Sequence, residues 1–431
     1  MKEGQRKRGA GMRVYRVVML LVLFCLASAA GWAEDRYKLK EGARGKLCLN
    51  CHVTFQDKMK APFVHTPLRR GECSGCHNPH TSSRGKLLDK NADAICFGCH
   101  PSVIGKKSVS IHKVVAEGKC VQCHDPHSSQ QKYNLLASGS SLCFNCHKSM
   151  GETVSQVKHR HYPVEKDCLT CHTPHASAGN KSLLKDAVPG LCAKCHKTDR
   201  PVFVKQHMNY PVGKSACTSC HAPHGSNQPG ILHDTVHKPV ANRMCNQCHE
   251  EASSPNALKT KKAGLDLCKA CHTPMIKDVF DKKLLHWPVS GKKACQSCHT
   301  PHASGNKGLL RQSQSALCGS CHAETVGQTT KAKTPHSPVK EGACTACHSP
   351  HASDNSMLFV QPDIPGLCGS CHDWKKHSTH PIGEKYRDPR DKNLSVDCLS
   401  CHHGHGSEHK RLLLLGTVTE VCVQCHDKYR R

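Results

Sequence analysis

Cys120-Val-Gln-Cys-His-Asp-Pro-His127, followed by Leu142-Cys-Phe-Asn-Cys-His147, decides how this chain is read. Each stretch holds two cysteines separated by two residues, with a histidine directly after the second. The same arrangement recurs sixteen times, so all but one of the 33 cysteines fall into pairs. In the first half these are Cys48/Cys51/His52, Cys73/Cys76/His77, Cys96/Cys99/His100, Cys120/Cys123/His124, Cys143/Cys146/His147, Cys168/Cys171/His172, Cys192/Cys195/His196 and Cys217/Cys220/His221. The second half adds Cys245/Cys248/His249, Cys268/Cys271/His272, Cys295/Cys298/His299, Cys318/Cys321/His322, Cys344/Cys347/His348, Cys368/Cys371/His372, Cys398/Cys401/His402 and Cys422/Cys425/His426.

Two thiols at this spacing can each add to one vinyl group of a single porphyrin, and the adjoining histidine is then held over the iron; Cys-x-x-Cys-His is the attachment signature of c-type haem. Cysteine pairs also build zinc sites, but zinc does not require a histidine after every second cysteine. A disulfide framework does not require it either. The composition agrees with a covalently bound cofactor. Only 4% of residues are aromatic, against 36 His, 32 Gly and 24 Pro in 431 residues, so the chain alone has little apolar surface from which to build a core. Sixteen haems c would fill it.

The motifs are of two kinds. One reads Cys-x-x-Cys-His-x-Pro-His, at Cys73, Cys120, Cys168, Cys217, Cys295 and Cys344, with Gly404 replacing proline in a variant at Cys398. The other is usually preceded by leucine, as at Cys143, Cys192, Cys318 and Cys368, and the alternation gives a two-haem repeat of about 48 residues. Cys245 and Cys268 both read as the second kind. The polar stretch 251–264 between them reads as a linker, dividing a nine-haem array at 34–250 from a seven-haem array at 265–431. Gly, Pro and Ser between motifs favour loops, and no stretch alternates as a strand does. The expected fold is a multihaem cytochrome, mostly irregular with short α-helices and little or no β-structure, elongated, with haems forming the core.

The second axial ligand separates a carrier from an enzyme. Twenty histidines lie outside the motif position, enough for a second one on every iron. Seven form the tail of the first kind of motif: His80, His127, His175, His224, His302, His351 and His405. Another seven precede the first cysteine of those motifs, often as His-x-Pro: His65, His112, His161, His207, His286, His336 and His380. Each array then needs one more. His237, in His-Lys-Pro-Val, is the best candidate in the first, beside His159 and His233; His377, His403 and His409 are equal candidates in the second. A tail histidine lies on the same side of its own haem as the proximal one, so each is expected to ligate a neighbouring haem and tie the two together.

Residues 1–33 read as a secretory signal peptide: six basic residues, an apolar run from Val17 to Ala30 containing the odd Cys25, and small residues that place cleavage near Ala29 or Ala33. The remainder holds no other span long enough to cross a bilayer, so a periplasmic or extracellular protein is expected. The formal charge of +28 would suit nucleic acid, but residues 1–33 account for part of it and haem propionates offset the rest, leaving no nucleic-acid reading.

The alternation resembles the doubled Cys-x-x-Cys-His family of multihaem cytochromes, over residues 48–426. That resemblance implies bis-histidine haems in a row and respiratory electron transfer in anaerobic metabolism. It implies redox protein partners, such as donor and acceptor cytochromes or a quinol-oxidising membrane complex, and in some members an outer-membrane porin. The competing expectation is a multihaem oxidoreductase that reduces a small oxyanion at one five-coordinate haem. No motif replaces its proximal histidine with lysine, so no residue is marked as catalytic.

Overall fold

The computed structural model describes residues 43–376 and 380–429. The expected signal peptide with Cys25 and the candidate ligand His377 lie outside them. As expected, the elements are short helices and 3₁₀ turns joined by loops, with strands of two residues apart from one hairpin. The two kinds of motif differ in backbone as well as in sequence.

Motifs of the first kind begin with a 3₁₀ turn, as at Cys73–Gly75, Cys120–Gln122 and Cys344–Ala346. The chain then folds back on the motif: Asn78 N donates to Leu87 O (2.7 Å) and Asp89 N to Cys76 O (2.9 Å), clamping His77 against Leu88. This tight return needs a left-handed residue. Glycine takes the position at Gly230 and Gly308, whereas Lys86, Tyr133, Ser182, Met357 and Arg411 accept positive φ with side chains attached. An added Cβ at Gly308 (φ 66°) would meet no atom within 4 Å. Gly308→Val should therefore cost only backbone strain, about 1–2 kcal/mol, read as a lower thermal midpoint with an unchanged haem content.

Motifs of the second kind ride on α-helices, at Ala43–Cys51, Ala92–Phe97, Gly139–Phe144, Gly190–Ala193, Gly264–Phe280, Gln314–Gly319, Ile364–Gly369 and Val418–Cys422. The apolar residue before the first cysteine is buried at Leu367 and Val421 but exposed at Leu47. Capping residues start several of these helices. Asp363 accepts from Gly366 N, and Thr417 with Glu420 forms a reciprocal capping box.

By backbone, Cys245 belongs to the first kind, which corrects the sequence reading. Its motif starts with a 3₁₀ turn, Cys245–Gln247, and His249 pairs with Thr260 as His77 does with Leu88. The polar stretch read as a linker from 251 is largely this return loop: Glu250 N bonds Lys259 O, and Lys261 N bonds Cys248 O (2.8 Å). The alternation thus breaks between Cys217 and Cys245, two successive motifs of the first kind. The sequence missed it because Glu250-Glu251-Ala252 stands where the Pro-His tail would be.

The third recurring device is a stitch between distant segments. The two residues before a His-x-Pro type histidine pair antiparallel with the two after a tail histidine. Phe63–Val64 pairs with Ser128–Ser129, Ser110–Ile111 with Ala176–Ser177, and His159–Arg160 with Gly225–Ser226. Thr235–Val236 with Ala303–Ser304, Leu284–Leu285 with Ala352–Ser353, and Thr334–Pro335 with Gly406–Ser407 complete the set. A short helix follows each upstream strand with proline in its first turn in most cases, as at Thr66–Arg69 and Lys238–Ala241, where a missing N–H costs nothing.

Buried apolar side chains are few and mostly small among the described residues, which leaves the motifs themselves to supply the packing surface. Among the described residues the one longer β-element is a hairpin, Gly383–Asp388 with Asp391–Val396, inserted between His380 and Cys398. The chain forms two compact units. One comprises Lys166–Lys185 with the described residues up to Gly151; the other comprises Glu152–Glu165 with Asp186 onward.

Candidate metal centres

In each first-kind motif the proximal histidine donates its Nδ1–H to a carbonyl of the return loop, at the left-handed residue in all but the Cys245 motif. His77 Nδ1 lies 2.8 Å from Lys86 O, His124 2.8 Å from Tyr133 O, and His299 2.7 Å from Gly308 O. His172, His221, His249, His348 and His402 repeat this with Ser182, Gly230, Leu258, Met357 and Arg411. A carbonyl can only accept, so Nδ1 must carry the proton and Nε2 is left with a free lone pair. That is the tautomer a metal ligand needs, fixed by an outer contact.

The upstream histidines are fixed in the same way. His65 Nδ1 lies 2.8 Å from Pro126 O, His112 3.0 Å from Pro174 O, and His161 2.9 Å from Pro223 O. His237, His286 and His336 use Pro301, Pro350 and Gly404, each at 2.8 Å. The stitch therefore does two jobs: the backbone ladder holds the segments together, and the same carbonyl selects the tautomer. Sequence reasoning missed its third part, the serine two residues after each tail histidine. Ser177, Ser304, Ser353 and Ser407 are buried, and each donates to the carbonyl of a return-loop residue, Leu184, Leu310, Phe359 and Leu413. The recurrence of Pro-His-x-Ser was a legible signal.

Histidines so fixed come together in pairs. In the first unit His65 faces His100, His77 faces His127, His112 faces His147 and His124 faces His175, with ring centroids 6.0–6.2 Å apart. In the second unit His161 faces His196, His237 faces His272, His249 faces His302, and His286 faces His322 at 5.9–6.2 Å. His299 with His351, His336 with His372, and His348 with His405 follow at 6.0–6.2 Å. Two pairs are more steeply inclined, His207 with His221 at 60° and His380 with His426 at 77°.

Two spacings govern these pairs. A second-kind proximal histidine faces one about 35 residues upstream; with the hairpin inserted, His380 lies about 46 residues before His426. A first-kind proximal histidine faces a tail roughly 50 residues downstream, so the tail reaches the preceding first-kind motif and skips the one adjacent in sequence. His237 falls into the regular upstream position, eight residues before Cys245, as His65 does before Cys73. His207 is the irregular one. With no tail after Cys245 to reach His221, His207 takes that place from the end of the helix Pro201–Gln206, its Nδ1 against Phe203 O (2.8 Å).

Tyr210 secures the same exception. It is buried, its hydroxyl donates to Glu250 O (2.8 Å), and its ring lies 6.4 Å from His249. The hydroxyl thus bonds backbone where a stitch would otherwise run. Tyr210→Phe should cost about 1 kcal/mol, measured as a lower unfolding midpoint, with the haem content of the motifs unchanged.

Burial lowers the pKa of the tail histidines His127, His175, His302, His351 and His405, which keeps the imidazoles neutral. Burial, followed by a neighbouring thiol, raises the cysteines in a regular order. Cys73 is raised with Cys48 beside it, and Cys96 beside Cys120 and Cys143 beside Cys168 are each pushed up to about 11. Second cysteines continue the series, Cys76 by Cys99 and Cys123 by Cys146. In the second unit Cys220 adjoins Cys245, Cys248 adjoins Cys271, Cys298 adjoins Cys321, and Cys347 adjoins Cys371. Cys268 beside Cys295 and Cys318 beside Cys344 are again pushed up to about 11. Successive attachment points are therefore neighbours, from Cys48 to Cys168 in one unit and from Cys217 to Cys398 in the other, where a Cys368–Cys398 hydrogen bond raises the first thiol and lowers the second to about 7.

Half-buried Cys171 lies in the first unit and exposed Cys195 in the second. The chain passes from one unit to the other at Asp186, between the two motifs, and nothing in the local sequence marks the change. Each cysteine keeps the geometry of its own motif. Cys171 N donates to Cys168 O (3.3 Å) and Cys195 N to Cys192 O (3.2 Å), and His172 N and His196 N close on the same carbonyls at 3.1 and 2.9 Å.

Among the described residues no three His, Cys, Asp or Glu side chains converge as a metal-holding group. What converges are two imidazoles on one axis beside two thiols. That donor set lacks four equatorial ligands, which is what a porphyrin brings, so haem c fits the residues present.

The family model for the doubled CXXCH motif matches residues 65–105, 112–152, 161–201, 209–236, 237–277, 286–327, 336–377 and 392–431, and the chain belongs to that family: it is a multihaem c-type cytochrome whose paired motifs bind haem c. Its units agree with the backbone, since 237–277 joins Cys245 with Cys268 and 209–236 leaves Cys217 single. The chain is also similar to the multiheme cytochrome MtrA of Shewanella baltica (strain OS185), with 29% identity over 202 residues, which are 45% of this chain and 58% of the relative. The match thus spans little more than half the relative's length. No helix of the described residues is long and apolar enough to cross a membrane.

Proposed function

We propose that this chain is an electron carrier that holds sixteen haems c, each on one Cys-x-x-Cys-His motif, most of them between two imidazoles. The observation that carries the reading is the spacing of the facing rings. An imidazole nitrogen sits about 2 Å from a metal it ligates, so two imidazoles trans on one metal have ring centres about 6 Å apart. The 5.9–6.2 Å separations leave room for one metal ion and nothing larger.

Haem c supplies a ferric/ferrous couple with no open axial position when both imidazoles bind. The chain's residues do the rest. Adjoining cysteine pairs set the order of sites along the sequence within each unit, and the stitches fix their separations. Such an arrangement suits short electron transfers between neighbours and offers a substrate no place on an iron held between two imidazoles, which favours a carrier over an oxyanion-reducing enzyme.

The setting we propose is outside the cytoplasm, in the periplasm or at the cell surface, after removal of residues 1–33. There the chain would pass electrons between donor and acceptor cytochromes or from a quinol-oxidising membrane complex in anaerobic respiration. The resemblance of the motifs to those of the doubled Cys-x-x-Cys-His family suggests this setting, and with it an outer-membrane porin as a candidate partner. Intact mass of the secreted protein tests the count: sixteen haems and a start after residue 33 are expected, and fewer haems would remove motifs from the carrier.

A further inference from the structure

The two spacings that place a second imidazole opposite eleven of the sixteen proximal histidines fail at the first motif. A partner for His52 about 35 residues upstream would stand near Val17, and residues 1–51 contain no histidine. The histidine that stands roughly 50 residues downstream, His100, already faces His65 at 6.0 Å. The one unassigned tail histidine nearby, His80, lies at neither spacing. It belongs to the first Pro-His motif of this sequence, and the motif before it, at Cys48, rides on a helix as the second kind does. Its ring is exposed, and among the described residues no imidazole faces it; only its backbone is held, N to Asn78 Oδ1 (3.0 Å).

The ring beside His52 is a phenyl instead. Phe55 lies edge-on to His52 at 6.2 Å and packs edge-on against His127 at 4.8 Å, next to the His77–His127 pair. Lys58 sits 5.7 Å from the Phe55 ring and pairs with Asp125 (3.0 Å), whose carboxylate also accepts from the backbone of His127 (2.8 Å). Phe55 is thereby locked between the first and second sites, and a phenyl cannot ligate iron. Cys48 adjoins Cys73, so the first site is nonetheless next in line to the others.

We infer that the haem on Cys48 and Cys51, with His52 as its single protein ligand, binds a small neutral diatomic of the carbon monoxide or nitric oxide type at its other axial position. This rests on the bis-imidazole reading of the other sites. It makes the end of the series in the first unit a point where an external ligand can alter the potential of the first site and so gate electron entry or exit.

The test is a carbon monoxide titration of the reduced, full-length holoprotein, followed in the visible spectrum. One equivalent bound per sixteen haems is expected, alongside a minor high-spin ferric signal in the oxidised protein. Cys48→Ser/Cys51→Ser, shown by mass to carry fifteen haems, should lose that equivalent, and His80→Ala should keep it unchanged. No carbon monoxide bound by the wild type overturns the inference, and a site appearing only in His80→Ala would name His80 as the missing ligand. Retention of the bound equivalent in the fifteen-haem variant also overturns it. Several equivalents bound by the wild type would instead overturn the bis-imidazole reading beneath it. The stoichiometry and ferric signal of the wild type decide the question even if the double variant fails to accumulate.

Discussion

Replacing His237 with alanine is expected to convert the haem on Cys268 and Cys271 from six-coordinate to five-coordinate and to add one carbon monoxide equivalent per chain. His237 faces His272 at 6.2 Å, its Nδ1 is held by Pro301 O, and the strand before it is stitched to Ala303–Ser304. The stitch is made by backbone, so it survives the substitution while the iron loses a ligand. His237→Met should instead keep six ligands and raise that haem's potential, since thioether ligation favours ferrous iron; axial ligands span roughly 0.8 V across haem proteins. Spectroelectrochemistry of the two variants reads both effects. A wild-type spectrum in either would place the second ligand of the haem on Cys268 and Cys271 elsewhere.

The second large effect concerns Asp388. It is 3% exposed at the turn of the hairpin, and Arg390 grips it through Nη2–Oδ2 at 2.6 Å and Nε–Oδ1 at 2.9 Å. The same guanidinium donates to Ser400 O (3.1 Å) and Gln424 Oε1 (3.0 Å), and so joins the Cys398 motif to the Cys422 motif. Asp388→Ala leaves Arg390 without its counter-charge and should destabilise this end by about 3 kcal/mol, read as early loss of the last two haems' native spectrum on heating. The Arg390 hydrogen bond holds the Asp388 carboxyl at about 2, below its ordinary 3.8. A lowered pKa stabilises the fold when the group is ionised, so this contribution is complete above about pH 4. It is lost as the pH falls from there through 2. The variant should therefore lack that part of the acid sensitivity, and an unchanged acid profile would count against the ion pair's role.

The doubled motif that the family model matches was legible, because two thiols and a histidine at fixed spacing are a covalent requirement written into adjacent residues. The upstream and tail histidines were legible as a set, but their partners were not. A tail such as His127 was expected to reach a neighbouring haem; it reaches back past one, to His77, because the stitch Phe63–Val64 with Ser128–Ser129 spans two motifs. Such pairing over sixty residues leaves no local trace. His237 and His207 exchanged places for a related reason. The kind of motif at Cys245 is set by its return loop and 3₁₀ turn, whereas the sequence reading judged it by the absent tail. His159, expected as a spare, lies in a strand, and His233 contacts Thr218 O through Nε2 (3.0 Å). The hairpin at 383–396 was not anticipated; its strands are mostly exposed and carry no strict alternation to signal it.

The central claim is that facing imidazoles hold iron in pairs, and the most direct measurement is low-temperature EPR of the oxidised holoprotein with haems counted by pyridine haemochrome. The account predicts low-spin, bis-imidazole signals from all haems but one, the near-parallel pairs giving rhombic spectra distinct from those of the inclined His207–His221 and His380–His426. A spectrum in which several haems are high-spin, or ligated by a group other than imidazole, would contradict it.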